Sequence, residues 1–261
     1  MPLRHGIAPF DAFPFGMGVA LAALIGLVLG SFIATLVLRW PAGRSVMGRS
    51  QCDGCQRTLG AAELVPLLSA LWIRGRCRGC GARVDPFHAY VELASALIGG
   101  LALAILPGTA GWLWALFGWL LLPLALLDAR HFWLPDRLSA VLAVVGLLLA
   151  GPLLGTPLLD RWIGALVGGL ALALIAWAYR RARGGDGMGG GDPKLVAAIG
   201  CWLGWQALPL MLVLASLGGI VWALVGQRKG DQPLGQRRIP FGVFACTAAF
   251  AVVPAWPLIA R

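Results

Sequence analysis

The chain has 261 residues, 59% of them hydrophobic and only 12% charged, with a formal net charge of +10. That balance excludes an ordinary soluble domain. Long apolar runs recur along it, each enough at 1.5 Å per residue to cross about 30 Å of hydrocarbon.

Lipid cannot satisfy an open backbone, so such spans are helices or closed barrel strands. Strict apolar–polar alternation is absent, which leaves helices. The positive charge is not spread as on a nucleic-acid-binding surface. Eighteen of the 21 Lys and Arg fall in four segments, 39–87, 128–137, 180–194 and 227–240. Basic loops of this kind mark the cytoplasmic side of a membrane protein and face anionic lipid head groups, so no nucleic-acid partner is expected.

In chain order, residues 1–15 form a short lead. The apolar run at about 16–38 is too long for a signal-peptide core and reads as a retained span. Residues 39–87 are the one sizeable polar insert. Further spans are predicted at about 88–106, 111–127, 138–154 and 161–179, with a polar loop over 128–137 and a glycine-rich loop after 179. Residues 195–226 are apolar throughout. As one span they would put the basic loop 227–240 opposite the other three. Two short spans, broken near Gly204-Trp205-Gln206 or at Pro209, put all four on one side. The last span is about 241–259. The expected fold is an all-α polytopic membrane protein of about eight transmembrane helices, with both termini on the non-cytoplasmic side. Its expected divisions are 1–38, a cytoplasmic insert 39–87, and a membrane core 88–261.

The insert carries Cys52-Asp53-Gly54-Cys55 and Cys77-Arg78-Gly79-Cys80. Two C-x-x-C knuckles let four thiolates meet one tetrahedral ion, which points to a structural zinc site on Cys52, Cys55, Cys77 and Cys80. A reducing cytoplasm disfavours the alternative of disulfides. Zinc would supply folding energy that so short an insert lacks. Cys201 and Cys246 stand alone in apolar spans and read as packed side chains.

Asp128 closes the apolar run Leu121–Leu127, at a helix end where the macrodipole disfavours a negative charge. Asp192 follows six glycines in eight residues and precedes Pro193, so it reads as a helix N-cap, a reactive acid, or both. Asp136, after Pro135, reads mainly as an N-cap, Asp186 as a solvated charge, and Glu92 as either an interfacial charge or a functional acid. Gly185-x-Gly187-x-x-Gly190 matches a dinucleotide fingerprint by letters, but no strand precedes it, and no phosphate-loop Lys-Ser or Lys-Thr follows. Two aspartates that share a proton can hydrolyse a peptide without metal or covalent intermediate, and both sit at one membrane edge in this topology.

These residues resemble the bacterial type IV prepilin peptidases, GxGD-type aspartic proteases of the inner membrane. Gly30-Ser31-Phe32 with Arg39-Trp40-Pro41 is similar to that family's N-terminal block, and the paired C-x-x-C motifs to its cytoplasmic zinc-binding insert. Asp128 with Leu134-Pro135-Asp136 resembles the first catalytic motif, and Gly187-Met188-Gly189-Gly190-Gly191-Asp192-Pro193-Lys194-Leu195 the second. Three positions depart from the pattern: Ala34 where Asn is usual, Phe87-His88-Ala89 in place of R-Y-P, and Pro193 where an amide-bearing residue is usual.

The resemblance implies that Asp128 and Asp192 are the catalytic pair. It implies substrates that are type IV prepilins or type II secretion pseudopilins, cut after a glycine just before a hydrophobic helix. It also implies methylation of the new N-terminus from S-adenosylmethionine, with peptidase activity alone as the alternative; no binding residues for that donor are assigned. A transporter or assembly scaffold with a zinc ribbon is the rival class. An intramembrane protease of the presenilin type has a tyrosine before its first aspartate, where this chain has Leu127.

Overall fold

The computed structural model describes residues 14–48, 51–52, 55, 57–58, 60, 76–82, 85–184, 188–228 and 239–259. Asp186, and much of the segment between the two cysteine knuckles, lie outside the described residues. Among the described residues there are nine helices and no strand, only an isolated bridge between Gln51 and Thr58. The helices are α1 (Phe15–Arg39), α2 (Phe87–Ile105), α3 (Thr109–His131), α4 (Asp136–Leu149), α5 (Gly151–Leu154), α6 (Leu158–Arg183), α7 (Asp192–Leu203), α8 (Leu208–Arg228) and α9 (Phe241–Ile259). The protein is therefore an all-α polytopic membrane protein. Among the described residues, five helices are long and apolar enough to cross a bilayer: α1, α2, α3, α6 and α8 over Leu208–Gly226. The single turn α5 aside, a helix stands at each of the eight predicted span positions, but α4 and α7 have only 14 and 12 residues.

The chain folds as two compact units, residues 1–108 and 109–261. In the first, α1 lies along α2 through a stripe of small residues. Gly18, Ala22, Gly26, Gly30 and Ala34 recur every four positions and are all buried. Without water to drive helices together in lipid, such stripes allow backbones to approach and gain dispersion contacts. A Cβ on Gly30 would come 2.6 Å from the Glu92 Cα, and one on Gly26 would strike the Ser95 carbonyl.

In the second unit, α7 is the buried centre. At 1.5 Å per residue its 12 residues span about 18 Å, too short to cross a membrane alone. Its residues from Ala198 to Leu203 are all buried. Trp202 stacks on Phe117 of α3 with ring centroids 4.7 Å apart, and its indole N–H donates to the Leu142 carbonyl of α4 at 2.8 Å. One turn earlier on α3, Trp114 stacks on Phe250 of α9 and donates to its carbonyl at 3.0 Å. The outward faces carry what a lipid-facing helix needs: Leu159, Leu166, Leu170 and Leu174 of α6 are all exposed.

The break predicted inside 195–226 is present. α7 ends at Leu203, and Gly204 follows with φ +75°. Glycine adopts that backbone without steric penalty, and a side chain there would also meet Thr156 at 2.6 Å. Arg161 of α6 supports the neighbouring end of α4, donating from Nη1 to the carbonyls of Gly146 and Leu147 at 3.0 and 3.1 Å. The Gly146 carbonyl also accepts from the Ala150 N–H at 3.0 Å, so the buried guanidinium adds a second donor at a helix C-terminus, where a cation is electrostatically favoured.

Candidate active site and metal cluster

Asp128 lies in the last turn of α3 and is 5% exposed; Asp192 opens α7 and is 6% exposed. Both carboxylates are thus more than nine-tenths buried, although the residues stand 64 positions apart. Each is held by a backbone donor. The Val243 N–H of α9 donates to Asp128 Oδ2 at 3.1 Å, and the Gly189 N–H to Asp192 Oδ2 at 3.0 Å.

Leu134, from the loop between α3 and α4, is the wedge between the segments. A Cβ on Gly191 would lie 2.7 Å from the Leu134 Cβ. One on Gly242 would lie 3.2 Å from the Leu134 Cδ1 and 2.8 Å from Asp128 Oδ2. Three segments distant in sequence therefore close around one leucine because two of them lack side chains there. Asp128 lies within electrostatic reach of Asp192, and the buried Cys246 of α9 lies near both.

Two capping expectations change. Asp192 does not cap its own helix: the cap position is Gly191, with no side-chain cap bond, because the carboxylate turns back to Gly189. Asp136 is not a side-chain cap either. Its carboxylate is taken by Lys194, whose Nζ lies 2.7 Å from both oxygens. Asp128, which had no capping role on its own helix, accepts from the first turn of α9 instead. Gly242 and Val243 were not singled out from sequence; the available signal was a glycine in the first turn of an apolar span, directly after Pro240-Phe241. Glu92 is buried in the first unit at 6% exposure and is not interfacial in the sense of a solvated charge.

The sulfur atoms of Cys52, Cys55, Cys77 and Cys80 all lie within 4.8 Å of one another. Cys52 to Cys80 is 3.8 Å and Cys55 to Cys77 is 4.0 Å. A disulfide would need about 2 Å, whereas a tetrahedron with metal–sulfur bonds of about 2.3 Å has edges of about 3.8 Å. The two knuckles fold alike: Cys52 N–H donates to the Arg57 carbonyl at 2.9 Å, and Cys77 N–H to the Ala82 carbonyl at 2.8 Å. Backbone N–H groups of Cys80 and Gly79 bring the Cys77 thiol down to about 6, favouring the thiolate that a metal binds. The donor set fits a metal ion held by four thiolates.

Residues 24–106 match the profile described as the bacterial peptidase A24 N-terminal domain, and residues 115–224 match the type IV leader peptidase family. The chain belongs to the type IV leader peptidase family. Among curated relatives, the prepilin leader peptidase/N-methyltransferase of Aeromonas salmonicida is 42% identical over 77% of this chain and 69% of its own. Its namesakes from Burkholderia pseudomallei and Pectobacterium carotovorum are 35% and 36% identical, over 95% and 88% of this chain and 88% and 90% of their own. No solved structure matches the chain. This leader peptidase is thus an enzyme whose two profile matches fall one in each compact unit, the thiolate cluster within the first and both aspartates within the second.

Proposed function

We propose that Asp128 and Asp192 are the catalytic pair with which this leader peptidase cuts type IV prepilins or type II secretion pseudopilins. The observation that carries the reading is a pair of nine-tenths-buried carboxylates in each other's electrostatic reach, each oriented by a backbone N–H. One carboxylate, ionised, takes a proton from water as the oxygen attacks the scissile carbonyl. Its protonated partner gives its proton to the carbonyl oxygen as the tetrahedral intermediate forms. Collapse breaks the C–N bond, the departing amine takes a proton from the first carboxyl group, and the second is reprotonated from the intermediate's hydroxyl. The cut falls after a glycine, ahead of an apolar helix, at the cytoplasmic face of the inner membrane, a side that the basic loops support.

The same protein then methylates the exposed N-terminal amine. S-adenosylmethionine supplies the methyl group, and the relatives' names as peptidase/N-methyltransferases support this second activity. The metal of the cysteine cluster is zinc in a closed, structural site, held by Cys52, Cys55, Cys77 and Cys80. Purified protein in detergent should cleave a synthetic prepilin after its glycine. Retained cleavage by Asp128→Asn or Asp192→Asn at normal protein levels would remove the dyad. Mass spectrometry of the mature pilin from cells holding only this enzyme decides the methylation; an unmethylated terminus leaves a peptidase alone.

A further inference from the structure

Asp128 occupies the end of α3 at which the helix dipole opposes its charge. The compensating group lies on another helix. Val243 is the third residue of α9, and the first-turn N–H groups of a helix have no acceptors of their own. The Val243 N–H approaches the Pro240 carbonyl at 3.2 Å and Asp128 Oδ2 at 3.1 Å. Asp128 thus provides, from α3, the acceptor that an aspartate at the N-cap of α9 would otherwise provide, and the positive end of the α9 dipole faces its carboxylate.

Gly242 is what allows the approach. Its φ is not in the left-handed region, so the backbone would accept any residue. The constraint is steric: a Cβ would sit 2.8 Å from Asp128 Oδ2 and 3.0 Å from its Cγ. Relief in the other direction is blocked by Leu134, whose Cδ1 lies 3.2 Å from the same point and whose Cβ already abuts Gly191.

We propose that the first turn of α9 is a positioning element of the active site: the Val243 N–H fixes the Asp128 carboxylate, and Gly242 must lack a side chain for that carboxylate to reach it. This inference rests on the reading of Asp128 as catalytic. It makes the N-terminus of the last helix a third segment of the dyad, beside the two aspartate motifs.

The test uses purified full-length protein and a synthetic prepilin peptide with a basic leader, a glycine at the cut and an apolar helix. Gly242→Ala introduces the clash, and Val243→Pro removes the donor at a first-turn position where proline is tolerated. Asp128→Asn is the reference. Gly242→Ala is expected to lower kcat by roughly 100-fold, the cost of a small misplacement of a reacting group. Its affinity for a fluorescent form of the peptide stays within about twofold, since substrate binding and turnover are separable quantities. Val243→Pro moves in the same direction. Wild-type kcat in Gly242→Ala beside an inactive Asp128→Asn overturns the inference while leaving the dyad standing. So does loss of peptide binding together with turnover in both variants, because that is general misfolding. An active Asp128→Asn removes the reading of Asp128 itself, and the inference with it.

Discussion

In the N-terminal unit four thiols meet because each pair is separated by only two residues, so a single tight turn aims both at one ion. In the C-terminal unit two carboxylates 64 positions apart come within electrostatic reach of each other where Gly191 and Gly242, lacking side chains, both close on Leu134. The first arrangement is local and self-contained. The second is tertiary, and depends on which side chains are missing as much as on which are present. A locally encoded site tolerates change elsewhere in the chain; an assembled one is sensitive to every segment that closes on it.

The sharpest way to break that contrast is to refill the space around Leu134. Gly191→Ala places a methyl group 2.7 Å from the Leu134 Cβ, whereas a Cβ on the adjacent Gly190 meets nothing within 4 Å. The first substitution should reduce prepilin cleavage by roughly 100-fold, as expected for a displaced reacting group. The second should leave the rate in detergent-solubilised enzyme close to wild type. Equal losses from the two would mean that the loop needs backbone freedom and not empty space.

Metal removal probes the other half of the comparison and should have a smaller effect on cleavage. A chelator that strips the cluster leaves Cys52, Cys55, Cys77 and Cys80 open to a thiol reagent, while the buried Cys201 and Cys246 stay unreactive. Cleavage of a short synthetic prepilin should fall far less than in Gly191→Ala. Loss of cleavage in step with metal release would show that the dyad depends on the cluster.

The ion pair of Asp136 with Lys194 should matter least. Its side chains are 69% and 56% exposed, and pairs of that kind contribute about 0–1 kcal/mol. Asp136→Ala should therefore change the cleavage rate by no more than about fivefold. A larger drop would make the pair part of the machinery that holds α4 against α7.

The same division decides what could be read from the sequence. Paired cysteines at short spacing, apolar runs of span length and the break at Gly204 are encoded within a few residues, and charge asymmetry places the break without any tertiary information. The two aspartates were legible as residues, because a carboxylate at a hydrocarbon edge is costly. Their partners were not. Asp136 looked like a cap because the position after Pro135 favours one, yet Lys194, 58 positions away, takes its carboxylate. Asp128 looked uncapped because its donor, Val243, belongs to a helix 115 positions further on. Local propensity ranks what a residue can do within its own turn, and tertiary contacts then choose among those options. The shortness of α7 was legible as well, since Asp192-Pro193 marks its start and Gly204 its end; 12 residues cannot cross a bilayer, but they suffice to hold Asp192 at the mouth of a buried helix.

If Asp128 and Asp192 act as one unit, the kinetics of single and double variants must show it. Purified Asp128→Asn, Asp192→Asn and the double variant should be assayed for cleavage of the same synthetic prepilin. Groups that act together lose their whole contribution when either is removed. Each single variant should fall to the level of the double, a loss of roughly 100- to 10,000-fold for general acid–base catalysis. Substantial cleavage by either single variant, or a double variant far below both, would contradict the account.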